Sequence, residues 1–189
     1  MLSFQRPTLQ SPTKYTQNTS MACLQVYCAT VLLAFGLAAG VDLDCPPLWT
    51  RYGDHCYRFF GPPKTWQAAE DHCQEFFTRN GQGHLASIHT SGENKFLLQM
   101  WKTSLVPTNT IYVRDHVWLG QSDQLEEGNF SWSDGTGLYY KAWRGGQPNN
   151  AGGAEDCGSF WEINDEIGWN DDDCDVAMPY LCKMPSNKE

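Results

Sequence analysis

Three short stretches in the last third of the chain concentrate side chains that offer oxygen: Gln147-Pro148-Asn149-Asn150, Glu155-Asp156-Cys157 and Trp169-Asn170-Asp171. Carboxylates and amide carbonyls are the donors that a hard cation such as Ca2+ collects, roughly six to eight oxygens in flexible geometry. Softer metals prefer histidine or cysteine, and no Cys-x-x-Cys pair or paired histidine spacing supports zinc. Asn, Asp and Gly also make ordinary turns, and any one of these stretches alone reads as a turn. Cys157 directly follows Glu155-Asp156, and Cys174 comes soon after Asp171. A Cys157–Cys174 bridge therefore brings two acidic segments together, and the three stretches then read as one cation site.

Charge points the same way. The 189 residues carry a formal net charge of −9. Arg6 and Lys14 are the only charged residues of the first forty, so the remaining body is more acidic still. Such a body repels phosphate backbones, which excludes nucleic acid as a partner, and it concentrates cations. Acidity also keeps a secreted protein soluble, but the carboxylates here crowd into the region of the three stretches. Enzyme signatures are missing: there is no Gly-x-Ser-x-Gly elbow and no His-Glu-x-x-His pair. The five histidines are scattered and read as surface or hydrogen-bonded residues. Glu155 and Asp156 are neighbours, and on a strand they point to opposite sides. The expectation is therefore a binding protein and not an enzyme.

The elements that must position these residues follow from periodicity and turn chemistry. Residues 49–60 read as a hairpin with a turn at Tyr52-Gly53-Asp54, and Cys45 and Cys56 lie close enough to staple it. Pro62-Pro63 is expected to end the strand, and Thr65 to cap a helix. Trp66, Ala69, Cys73, Phe76 and Phe77 fall on one helical face, with Gly81 and Gly83 as terminators. Thr90 and Glu93 form a capping-box pattern for a second helix with the stripe Phe96, Leu97, Met100 and Trp101. Pro107-Thr108-Asn109-Thr110 marks a loop. Short strands follow at 116–120, 130–132, 157–161, 168–170 and 180–182, and a Gly-, Asn- and Pro-rich loop spans 143–156. The fold class is α+β: two helices with short antiparallel sheets and a long irregular loop.

Residues 1–40 read as a leader. The apolar run at 29–39 is too short to span a membrane, and Ala38 and Gly40 suit cleavage by a signal peptidase. A signal-anchor is the runner-up, because residues 1–20 form a long polar lead-in; Met1 and Met21 are both candidate starts. The domain then occupies 41–185 and is secreted, with no stable membrane insertion after leader removal. Cys23 and Cys28 belong to the leader. The six remaining cysteines fit an oxidised extracellular framework. Pairing Cys157 with Cys174 leaves Cys73 on the first helix to meet Cys182. Asn129-Phe130-Ser131 is a glycosylation sequon in a predicted strand, while Asn18-Thr19-Ser20 leaves with the leader.

The ordered set Trp118-Leu119-Gly120, Gln147-Pro148-Asn149, Glu155-Asp156 before Cys157, and Trp169-Asn170-Asp171 resembles a C-type lectin domain, of the longer form with an extra N-terminal hairpin disulfide. The match spans nearly all of 45–184. The resemblance implies disulfides Cys45–Cys56, Cys73–Cys182 and Cys157–Cys174, in agreement with the spacing. It implies a principal Ca2+ held by Gln147, Asn149, Glu155, Asn170 and Asp171, the last also through its main-chain carbonyl, with a cis Gln147–Pro148 bond. An auxiliary Ca2+ matches Asp123, Glu127, Asn150, Glu155 and Asp156. Sugar hydroxyls would complete the principal ion's shell and bond to Gln147, Asn149, Glu155 and Asn170, making glycans the partners. Mannose-type members resemble Glu-Pro-Asn in the tripeptide and galactose-type members Gln-Pro-Asp, so Gln147-Pro148-Asn149 takes one residue from each. Ala151-Gly152-Gly153-Ala154 supplies no aromatic ring to stack on galactose. The alternative is a calcium-binding structural or biomineral-matrix protein that uses Asp171-Asp172-Asp173 on mineral. No coiled coil or collagen-like stem is visible, so any homo-oligomer must form through the domain itself or through disulfides.

Overall fold

Thr50–Tyr52 (β1) turns through Gly53, whose φ of +59° suits glycine, into His55–Lys64 (β2). The computed structural model describes residues 44–104, 115–164 and 166–188. The leader, with Cys23, Cys28 and the first sequon, and the loop at Pro107-Thr108-Asn109-Thr110 lie outside the described residues. β2 does not stop at Pro62-Pro63. Phe60 pairs with Tyr180 and Lys64 with Met178 of the last strand, Met178–Pro185 (β10), across a register shift. The prolines sit in that irregular stretch, where a missing ladder N–H is tolerated. Nor does β2 alternate as a half-buried strand: Cys56 and Tyr57 are both buried, because each face of the strand meets a different core cluster.

The first helix, Trp66–Cys73 (α1), begins at Thr65, whose Oγ1 accepts the Ala68 N–H at 3.4 Å. It buries Trp66, Ala69 and Cys73, but it ends well before the glycines expected to stop it. The chain returns through Phe77–Thr78 (β3) and Gly81–Gln82 (β4), and the Gly83 N–H then donates to the Phe76 carbonyl at 2.8 Å. A Cβ on Gly83 would lie 2.6 Å from the Cys73 carbonyl oxygen, so this glycine serves close approach and not helix termination. Phe76 packs on Trp49 and Phe60, whereas Phe77 is 75% exposed and leaves the expected stripe.

The second helix, Ser91–Ser104 (α2), starts where Thr90 Oγ1 accepts the Glu93 N–H at 3.1 Å. The Glu93 carboxylate takes the N–H of His89 at 2.7 Å, one residue earlier than a capping box requires. Leu97 and Trp101 are fully buried.

His84–Leu85 (β5), His116–Ser122 (β6), Ser131–Trp132 (β7), Cys157–Ile163 (β8) and Glu166–Asp172 (β9) complete an eight-stranded sheet. Its main path runs β1-β2-β10-β6-β8-β9, with β5 on β10 and β7 on β6. All pairings are antiparallel except β6 with β10, through Tyr180 and Trp118. One core cluster packs Trp49, Trp66, Leu85, Trp118 and Tyr180, and a second packs Tyr57, Leu97, Trp101, Phe160 and Trp169. Among the described residues the disulfides are Cys45–Cys56, Cys73–Cys182 and Cys157–Cys174.

Candidate metal centre

The β8–β9 hairpin is the platform. Gly158 faces Asp171 and Ser159 faces Asn170 in the ladder, and both Asn170 and Asp171 are buried. A Cβ on Gly158 would collide with the buried Gln121 side chain, so glycine is required for β6 and β8 to approach this closely. The loop after β7 is tied to β9 by backbone bonds: Trp169 N–H to the Ala142 carbonyl and Arg144 N–H to the Trp169 carbonyl, each at 2.9 Å. The Gln147 N–H then donates to the Arg144 carbonyl at 2.9 Å, and the Gln147–Pro148 bond is cis.

The chain next folds over Asp171. Its carboxylate accepts the Asn149 N–H at 2.9 and 3.1 Å and the Asn150 N–H at 2.6 Å. Asn150 lies in the left-handed region with φ of +42°, which asparagine tolerates, and its Oδ1 accepts the Glu155 N–H at 3.2 Å. A short turn at Ala151–Gly153 returns the Ala151 N–H to Glu155 Oε2 at 2.9 Å. Gln147, Asn149, Asn150, Glu155, Asn170 and Asp171 are thus held in one hydrogen-bonded assembly, with the Cys157–Cys174 disulfide behind it.

Two oxygens in this assembly have no donor. Gln147 Oε1 and Asn170 Oδ1 are buried with no hydrogen-bond partner, while Asn170 Nδ2 donates to the Asp171 carbonyl at 2.5 Å. Leaving a buried acceptor unpaired costs about 1–3 kcal/mol, so unpaired amide oxygens beside carboxylates suit an oxygen-seeking cation. Burial raises the Glu155 pKa, and the carboxylates of Asp171, Asp172 and Asp173 raise it further against the opposing Ala151 N–H. Among the described residues no group of three or more His, Cys, Asp or Glu is arranged to hold a metal. The acidic residues do not suffice by themselves; a site here needs the amides.

The Lectin C-type domain family matches residues 62–184. The chain belongs to this C-type lectin domain family. It is 43% identical over 171 residues, 87% of this chain and 98% of the other, to an alpha-N-acetylgalactosamine-specific lectin of Patiria pectinifera. Among solved structures, the C-type lectin CEL-I from Cucumaria echinata superposes with a TM-score of 0.66 at 34% identity, covering 74% of this chain and 96% of that one. A calcium-independent type II antifreeze protein superposes with a TM-score of 0.60 at 28% identity, covering 75% of this chain and 95% of that one. The family is one of lectin domains, not of enzymes, and relatives of this C-type lectin domain include carbohydrate binders.

Elsewhere in the lectin domain, the residues read as an auxiliary set are brought together only in part: Asp156 and Glu127 lie near Asp123, and their carboxylates are not arranged to hold a metal. The Asp123 N–H donates to the Asp156 carbonyl at 3.1 Å, and its Oδ2 accepts the Gly128 N–H at 2.8 Å. Asp123 Oδ1 is buried without a partner. Burial raises this carboxyl's pKa, and the charges of Glu127 and Asp156 add to the rise. Asn150 and Glu155 bond to each other as described above, and they join Asp123 through the Glu155-Asp156 backbone.

Glu155 and Asp156 precede β8 instead of lying on it, so the opposite-faces reading does not apply to them. Asn129 likewise falls in the turn before β7, outside any strand. Trp169 is core, and Trp161 is partly buried between Arg144 and His116. Sequence reasoning missed the clamp that Asp171 makes on the loop backbone. No residue type signals it, because it depends on the path the loop takes.

Proposed function

We propose that this domain binds carbohydrate through a calcium ion held by Gln147, Asn149, Glu155, Asn170 and Asp171. The observation carrying this reading is the pair of buried, donor-free amide oxygens on Gln147 and Asn170, set among carboxylates that repel one another. A bound Ca2+ would supply open coordination positions for two neighbouring sugar hydroxyls. Asn149, Asn170 and Gln147 would donate amide hydrogens to those hydroxyls, and Glu155 would accept from them. Asp171 would fix the loop that carries Asn149. Asp123, Glu127, Asn150, Glu155 and Asp156 would hold an auxiliary ion, whose fit rests on the unpaired Asp123 Oδ1.

The domain is proposed to be residues 41–185, secreted after loss of a 1–40 leader; among the described residues no helix is long and apolar enough to cross a membrane. The name of the Patiria pectinifera relative makes N-acetylgalactosamine the first sugar to test, although Gln147-Pro148-Asn149 mixes two patterns. A second reading, binding of protein or a mineral or ice surface without sugar, draws on the calcium-independent antifreeze relative. A glycan array run with calcium and with chelator separates them. The lectin reading expects glycan signals that vanish with chelator and return with calcium. Absence of any chelator-sensitive signal, with retention on calcium carbonate, would support the second.

A further inference from the structure

The sequon Asn129-Phe130-Ser131 takes no part in the cation site, yet the fold displays it in a form that a glycan can occupy. Phe130 points inward: it is buried, and its ring meets Trp143 edge-on at 4.8 Å. On either side of this buried phenylalanine, Asn129 in the turn and Ser131 at the start of β7 are both exposed. The Asn129 N–H closes the preceding turn on the Glu126 carbonyl at 2.9 Å. Its side-chain amide donates to the exposed Glu126 carboxylate at 3.0 Å. An amide NH2 carries two hydrogens, so replacing the other one leaves that contact in place.

We infer that Asn129 carries an N-linked oligosaccharide, rooted on the loop that presents Asp123 and Glu127. The donor is a lipid-diphosphate-linked oligosaccharide of the secretory compartment, so the inference rests on the secretory reading above. A bond forms between Asn129 Nδ2 and the first sugar's C1, and the bond between C1 and the diphosphate oxygen breaks. The lipid diphosphate leaves with the electron pair, and Nδ2 gives up one proton. Ser131 supplies the hydroxyl that the acceptor pattern demands. The attachment point is next to Gly128, whose N–H holds Asp123 Oδ2 at 2.8 Å, so the glycan stands at the rim of the auxiliary region.

The full chain is produced in eukaryotic cells by two routes, with its own leader and with an added secretion leader ahead of it. Enzymatic deglycosylation in heavy-oxygen water should convert residue 129 to aspartate carrying one heavy oxygen, read by peptide mass. Asn129→Gln and Ser131→Ala should lose the signal and Ser131→Thr should keep it, all three remaining secreted. Secreted, disulfide-bonded protein with Asn129 unmodified, by either route, overturns the site, as does a signal that persists in Ser131→Ala. If the native-leader chain stays in the cell while the added-leader chain is secreted and modified, the site stands and the secretory reading falls.

Discussion

Asp171 has two uses at the residue scale, and they bear on what Gln147 can do. Its carboxylate already accepts the N–H groups of Asn149 and Asn150, so part of its acceptor capacity is taken up in holding the loop. Glu155 is the other anion of the proposed principal set, and Gln147 brings a neutral oxygen where mannose-type members resemble glutamate. Calcium affinity rises with the charge of its ligands. Gln147→Glu is therefore expected to bind Ca2+ several-fold more tightly in a calorimetric titration, and no gain would contradict the ligand set. The same carboxylates set a pH dependence. Burial and like charge raise the native pKa of Glu155 and Asp123. A raised native value means the metal-free fold keeps protons that the unfolded chain has released, so it loses stability as pH rises through that value. Calcium bound at the proposed site would displace those protons. The rise in Tm on adding calcium should accordingly be larger at pH 7 than at pH 5, and equal rises would show that these groups do not face the ion.

At the scale of elements, the site depends on how closely strands approach. A Cβ on Gly120 in β6 would lie 2.6 Å from the Leu85 backbone oxygen and 2.9 Å from Ser133 Oγ. β5 cannot easily yield, because Leu85 pairs with Cys182 of β10 and its N–H is held by buried Glu70. Gly120→Ala should cost about 1–3 kcal/mol of stability by overpacking, read as a lowered urea midpoint; an unchanged midpoint would mean that the strands can separate freely. The helices and most strands were legible from periodicity and turn residues, and the oxygen-rich stretches from residue type alone. The end of α1 was not, because Phe76 and Phe77 continue a helical spacing that the chain abandons after Cys73. The course of β2 past Pro62-Pro63 was hidden as well, since it depends on an irregularity in β10, more than a hundred residues away in sequence. Buried Asp123 gave no sign of its burial, which arises only when the loop before β7 folds against Asp156.

For the whole molecule, the disulfides connect stability to the site. Cys73 and Cys182 are 109 residues apart in sequence, and closing a loop of that size stabilises by about 4–5 kcal/mol in the chain-entropy model. Cys157–Cys174 spans 17 residues and joins the two acidic segments, so its main effect is local. A net charge of −9 favours cations over anions around the chain, while the buried Lys183–Glu93 pair, at 2.8 Å, ties β10 to α2 within the core. Linking several domains would strengthen binding at a single site of the proposed kind. The most direct measurement is a calcium titration of metal-stripped, fully oxidised protein by calorimetry. Saturable uptake at about millimolar metal or below, lost in Asn170→Ala while the fold is retained, is the expected result. A folded sample with all three disulfides that takes up no calcium in that range would contradict the proposed site and the sugar binding that depends on it.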